Sequence, residues 1–233
     1  ANIFHTLKKL LVEKNLSTGV GDEGGFAPQL PTNSAAFDLI EKAITDAGYT
    51  RDMVDLATDV AASELYKEGT YRLHKDGPYD ERTLSSAELS HYYSTLIDQY
   101  NILSLEDPFH EDDWYAFSQF TKKYGKDRII VGDDLYVTNT KRLKKGIDES
   151  ATNAILIKVN QIGSLFETVQ AIKMAKKAGW KVIISHRSGE TEDPFISDLS
   201  VASGADFIKA GSMSRSERLA KYNRLLEIEK IEM

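Results

Sequence analysis

Short, nearly uninterrupted apolar runs punctuate this chain, and helical patterns fill the stretches between them. The runs fall at 19–22, 54–60, 101–107, 128–134, 153–159, 181–186 and 206–210. A strand that is apolar on both faces is buried on both faces, as in parallel sheets covered by helices. Strand followed by helix, repeated, restricts the chain to an α/β fold with a parallel sheet. Helix ends are legible as well. Ser85 with Glu88, Ser164 with Glu167 and Ser214 with Glu217 have capping-box spacing. Asp193-Pro194 reads as an N-cap and first helical residue, and Gly48, Gly125 and Gly179 fall where helices should stop. Glu68-Gly69 and Asp76-Gly77 predict turns in a hairpin-like excursion.

Composition excludes several classes. A net charge of −7 counts against nucleic acid as a general partner. The absence of cysteine rules out disulfides and thiolate metal sites. No apolar run approaches the ~20 residues of a membrane span, and no signal-peptide pattern is legible. Ile3, Phe4, Leu7, Leu10 and Leu11 recur at helical spacing from the first residues, with no initiator methionine. The expectation is a chain cut from a larger protein.

No G-x-G-x-x-G follows the first run, which argues against a dinucleotide-binding sheet. The G-D-E-G-G turn has the wrong spacing and two carboxylates. A (β/α) barrel fits better, with its chemistry at the C-terminal ends of the strands. Those ends carry Asp22, Glu23, Asp59, Glu106, Asp107, Asp133, Asp134, Lys158, His186, Arg187 and Lys209. Any one of them could be a helix cap or turn former. Glu23, Glu106, Lys158 and Lys209 are poor caps, so the set needs another reason. Asp59, Glu106 and Asp133 come from three successive strands and would repel one another unpaired. Either a hard divalent cation such as magnesium or pairing with Lys158, Arg187 and Lys209 resolves this. Lys158 lies inside the apolar run I-L-I-K-V-N-Q-I-G. Burial penalises a charged amine, and a lysine so placed can act as a base.

Other candidates have simpler explanations. Phe109, Trp114, Phe117 and Phe120 read as core at helical spacing, and the basic stretch 141–145 as a solvated helix face. His5, His74, His91 and His110 lack a partner pattern, whereas His186 sits in S-H-R-S-G-E-T-E-D.

Together, V-G-D-E-G-G-F-A-P (20–28), D-V-A-A-S-E (59–64), S-L-E-D-P-F (104–109), V-G-D-D-L (131–135), the Lys158 stretch, S-H-R-S-G-E-T-E-D (185–193), I-K-A-G (208–211) and S-R-S-E-R-L-A-K-Y-N (214–223) resemble enolase along the whole chain. The later segments are more similar to bacterial or archaeal enolases than to eukaryotic ones. The resemblance implies one catalytic domain over 1–233, an α/β barrel of the TIM-like (β/α)8 type. It would be incomplete, with about six of the eight barrel strands and no N-terminal α+β domain. It implies a lyase that reversibly dehydrates 2-phosphoglycerate to phosphoenolpyruvate in glycolysis and gluconeogenesis.

In that reading Asp59, Glu106 and Asp133 bind magnesium. Lys158 removes the proton next to the substrate carboxylate, and Glu23 is the acid on the departing hydroxyl. Arg187, Ser188 and the backbone of Ser185 and His186 hold the phosphate end, and Lys209 the carboxylate end. A cytoplasmic protein, dimeric or larger at full length, is implied, with a secreted or cell-surface pool known in the family. The family's loop serine that helps bind a second magnesium, and a glutamate, a glutamine and a histidine near the substrate, have no counterpart here. With strands absent, open edges at 19–22 and 181–186 are expected, and with them low activity of the chain alone. Two alternatives are a surface-binding module of the plasminogen-binding kind, without turnover, and another dehydratase of the enolase superfamily. Against the first, the final residue is Met233 rather than lysine; against the second stand the G-D-E-G-G-F-A-P and S-H-R-S-G-E-T-E-D segments. Phe166 stands where a small polar residue is usual in the family, and Tyr136 where threonine is common.

Overall fold

The computed structural model describes residues 1–74 and 81–232. The expected turn at Asp76-Gly77 and the side chain of His74 lie outside the described residues. In chain order the elements are α1 (Asn2–Glu13), α2 (Ser34–Asp46), β1 (Leu56–Asp59), a 3-10 turn (Ala62–Leu65), β2 (Tyr66–Lys67), β3 (Thr70–His74) and β4 (Glu81–Leu84). Then follow α3 (Ser86–Tyr100), β5 (Ile102–Glu106), α4 (Trp114–Tyr124), β6 (Ile129–Gly132), α5 (Thr140–Glu149) and β7 (Ala154–Ile157). The chain continues with α6 (Val159–Ile162), α7 (Leu165–Lys177), β8 (Lys181–Ser185), α8 (Phe195–Ser203), β9 (Phe207–Lys209) and α9 (Ser216–Glu232).

Contacts divide the chain into two compact units. One comprises Ala1–Gln29, Asp38–Thr50 and Ile183–Met233, and the other Leu30–Phe37 and Arg51–Val182. In the second unit β1, β5, β6 and β7 pair in parallel in that order. All four residues of β7 are buried, as its unbroken apolar run requires. Beneath α4, Phe109, Phe117 and Phe120 pack edge to face with Tyr93 and one another, all fully buried or nearly so. Trp114 is only half-buried, and its ring receives the ammonium of Lys145 at 4.0 Å. The hairpin excursion forms the antiparallel sheet β2-β3-β4. Its first turn places both Glu68 and Gly69 at positive φ, as the sequence predicts.

In the first unit β8 pairs in parallel with β9, Ile183 opposite Phe207 and Ser185 opposite Lys209, so the edge expected to be open at 181–186 is covered by the 207–209 strand. The expected strand at 19–22 does not form. Its residues bend into a tight turn instead: Gly21 N–H donates to Gly25 O (2.9 Å), Gly24 N–H to Gly21 O (3.0 Å) and Ala27 N–H to Gly19 O (3.1 Å). A single antiparallel bridge joins Val20 and Phe26. Glycines at 19, 21, 24 and 25 make this fold-back easier than an extended run.

Two of the expected helix caps form and two differ. Ser85 and Glu88 form the reciprocal capping box, and Ser164 accepts from Glu167 N–H. Ser214 does not cap α9; its hydroxyl donates to Gly24 O at 2.7 Å. Asp193 accepts from Phe195 N–H at 2.8 Å, so its helix begins one residue later than expected. In the basic stretch Lys144 is solvated, but Arg142 turns inward and donates to Leu135 O at 2.6 Å.

Candidate active site

Register brings the acidic residues together at one end of the second unit's sheet. Asp59 and Glu106 are the last residues of β1 and β5 and lie side by side. Glu106 is beside Val131 on β6, and Asp133 follows two residues later. Side chains alternate along a strand, so positions two apart share a face. Asp107 has the opposite parity, and its carboxylate accepts Asp133 N–H (2.9 Å) and Asp134 N–H (2.8 Å). It thereby braces the turn that presents Asp133. Burial pushes the Asp107 carboxyl up to about 7, against the pull of those two N–H groups. Burial also raises Asp134, helped by the charge of Asp133, and the charge of Asp59 reaches it too.

Lys158 follows β7 directly and ion-pairs through Nζ with Asp133 Oδ2. Its backbone is held from behind. Lys158 N–H donates to the hydroxyl of Thr138 at 2.9 Å, and Thr138 is fully buried. Val137 and Thr138 both adopt left-handed backbone, at φ 43° and 58°. For two consecutive β-branched residues this is a strained conformation, held by the surrounding contacts.

Asp107, Asp133 and Asp134 offer oxygens within 4.8 Å of one another, an arrangement able to hold a metal ion. The donor chemistry fits a hard cation, since only carboxylate oxygens converge. Asp133 Oδ1 adds a specific indication: it is buried and has no hydrogen-bond partner among the described residues. Of the expected set Asp59, Glu106 and Asp133, that cluster contains Asp133 alone. Glu106 is buried and Asp59 exposed at the neighbouring strand ends.

The first unit contains the other candidates. Glu23 Oε2 lies 3.5 Å from His186 Nε2, and Glu23 Oε1 receives the Ser188 hydroxyl at 3.5 Å. The His186 N–H draws the Glu23 carboxyl down to about 2, against partial burial, with the charges of Lys209 and Arg218 adding to the pull. His186 N–H donates to Lys209 O at 2.9 Å, which ties the end of β8 to the end of β9. Ser185 is buried and donates to His186 O at 3.0 Å. Arg187 N–H donates to Glu190 at 3.0 Å, leaving its side chain half-buried.

A family model described as the enolase C-terminal TIM barrel domain matches residues 1–232. The chain belongs to this family. Among the described residues, six parallel strands with their helices are an incomplete (β/α) barrel of the enolase C-terminal kind.

Two cations of α9 that carried no role in the sequence hold the loops around His186 and Glu190. Arg218 and Lys221 are both fully buried. Lys221 donates to Glu190 Oε2 and Glu217 O, each at 2.7 Å, and to Thr191 O. Glu190 also receives Arg187 N–H, so Lys221 holds the 187–191 turn through it. Arg218 bonds to three carbonyls and to His186. Their spacing of three on a helix puts both on one face. That spacing is the signal available in S-R-S-E-R-L-A-K-Y-N. Tyr136, unusual for the family, is fully buried and bonds Thr152 at 2.8 Å. Its ring occupies the space that Gly132 and Gly146 leave open. Phe166 is exposed on α7, so its departure lies at the surface.

Proposed function

We propose that this barrel carries the magnesium-dependent site that interconverts 2-phosphoglycerate and phosphoenolpyruvate. The observation that supports it most is the Lys158–Asp133 pair at the strand ends, with Asp133 Oδ1 left bare beside Asp107 and Asp134. Asp59, Glu106 and Asp133 would hold magnesium, with Asp134 beside them. When bound, the ion supplies positive charge for the carboxylate that gains a second negative charge as the α-proton leaves.

Lys158 is the base. Removal of its own proton precedes the step, and the Thr138 contact fixes where its amine emerges. Arg187 and Ser188, with Ser185 and His186, orient the phosphate, and Lys209 orients the carboxylate. Glu23 moves the second proton. As an ionised carboxylate it takes a proton from water in the hydration direction. In the dehydration direction it must first be protonated, and an anionic substrate beside it favours that.

The test is phosphoenolpyruvate formation from 2-phosphoglycerate in excess magnesium, followed by ultraviolet absorbance, in the protein that carries this chain. Dehydration of an acid sugar without turnover of 2-phosphoglycerate would replace this reading with another superfamily lyase.

A further inference from the structure

We propose that Arg218 is a positioning residue that fixes His186 in its Nε2–H tautomer and so keeps an N–H directed at Glu23. The inference rests on the reading of Glu23 as the group that moves the proton of the substrate hydroxyl.

The geometry leaves little freedom. Arg218 Nη1 donates to His186 Nδ1 at 2.6 Å and to Arg187 O at 2.8 Å. Nη2 donates to Asp22 O at 2.9 Å and Ser188 O at 2.8 Å. Each terminal nitrogen has two hydrogens, so all four are committed. A guanidinium has donors only, so the ring nitrogen facing it must offer a lone pair. The imidazole proton then sits on Nε2, the atom 3.5 Å from Glu23 Oε2. That separation is too long for a well-formed hydrogen bond, and Nε2 is otherwise buried without a partner among the described residues. Hydrogen bonds at catalytic groups are often long before substrate binds and shorten in the complex.

The stem of Arg218 and the backbone of Glu23 are fixed together. A Cβ on Gly211 would lie 2.6 Å from Arg218 Cδ and 2.7 Å from Glu23 O, and φ there is +90°. Only glycine suits that position. Ser212 N–H donates to Glu23 O at 2.8 Å. The charged and titratable groups that act on Glu23 are His186, Lys209 on β9 and Arg218 on α9, with the Ser188 hydroxyl beside them. His186 has the largest effect, which is why its tautomer matters. With the proton on Nδ1 instead, a lone pair would face the carboxylate and the attraction would become repulsion.

Lysine at 218 would keep a charge and one donor for Nδ1 but could not reach the three carbonyls at once. Methionine would keep only the bulk. The experiment is long-range proton–nitrogen correlation on the protein labelled with nitrogen-15 histidine, at neutral pH. It is combined with a carbon-13 titration of the Glu23 carboxyl. The expected result is an unprotonated Nδ1 and a protonated Nε2 on His186. In Arg218→Met the tautomers should mix, and the Glu23 midpoint should rise by roughly one pH unit or more. Arg218→Lys should recover part of both. A protonated Nδ1 in the unaltered protein overturns the proposal, and this holds even if Arg218→Met fails to fold. An unchanged Glu23 midpoint in folded Arg218→Met overturns it as well. If the tautomer and midpoint behave as expected but 2-phosphoglycerate is not turned over, the lyase reading falls and the Arg218–His186–Glu23 arrangement stands.

Discussion

Lys158 and Asp133 are paired so that the two carboxylate oxygens are unequal: Oδ2 receives the ammonium, and Oδ1 is buried with no hydrogen-bond partner among the described residues. Lys158→Ala removes the proposed base without removing a carboxylate. Exchange of the substrate α-proton with solvent deuterium should fall by ~10²–10⁴-fold. Magnesium affinity, measured by titration calorimetry, should not fall, because Asp133 loses a competing cation. Exchange at the original rate would exclude Lys158 as the base.

Glu23→Gln should separate the two proton transfers. With Lys158 intact as the proposed base, deuterium exchange at the α-carbon should persist. Formation of phosphoenolpyruvate should fall by ~10²–10⁴-fold, since the amide neither gives nor takes the second proton. Loss of both in parallel would show that Glu23 orients substrate rather than moving a proton.

Asp107 serves two backbone N–H groups with two oxygens. In Asp107→Asn one oxygen becomes an NH₂ facing a donor. A buried N–H left unpaired costs about 1–3 kcal/mol, which urea unfolding would report. Because the turn carries Asp133, magnesium affinity should drop ~10–100-fold, as for other groups that support a ligand. Unaltered affinity in a destabilised variant would limit Asp107 to folding.

Gly146 lies within α5, where alanine ordinarily gains about 1 kcal/mol in helix propensity. Here a Cβ would overlap the ring of Tyr136. Overpacking of this kind costs about 1–3 kcal/mol, so the net effect of Gly146→Ala is destabilising. A lower melting temperature is expected. The double variant with Tyr136→Thr should be destabilised by less than the sum of the two single changes.

The Glu23 carboxyl is held at about 2, and Glu190 is also lowered, against burial, by Lys221 and backbone N–H groups. A folded-state value below the unfolded value of 4.5 means that the stabilisation is present above that pH. It is lost as pH falls through the folded-state values. Melting temperature should therefore decline below roughly pH 4.5, and less steeply in Glu190→Gln. The same slope in both proteins would remove Glu190–Lys221 as a source of acid sensitivity.

The parallel strands and aromatic core were legible because apolar periodicity reports burial directly. Ile155, Leu156 and Ile157 are all fully buried where the run predicts a covered strand. The turn at 19–25 was not, because four glycines allow extended and folded-back paths equally, and the choice lies in long-range contacts such as Ser214 to Gly24. Lys158 was conspicuous as one charge in an apolar strand. Arg218 and Lys221 were not, because in a charged helix their burial depends on which loops pack over them. Thr138 was hidden for a similar reason: a buried hydroxyl acting on a neighbouring loop resembles any turn threonine in sequence.

Arg218 bonds to Asp22 O across 196 positions of chain. On a ribosome adding ~5–20 residues per second, the arginine follows its acceptor by on the order of 10–40 s. Throughout that interval the G-D-E-G-G turn lacks the donor that holds it. The pairing of Lys158 with Asp133 spans only 25 positions and is available much earlier. During synthesis, Lys158 and Asp133 therefore both emerge well before the arginine that bonds the Asp22 carbonyl.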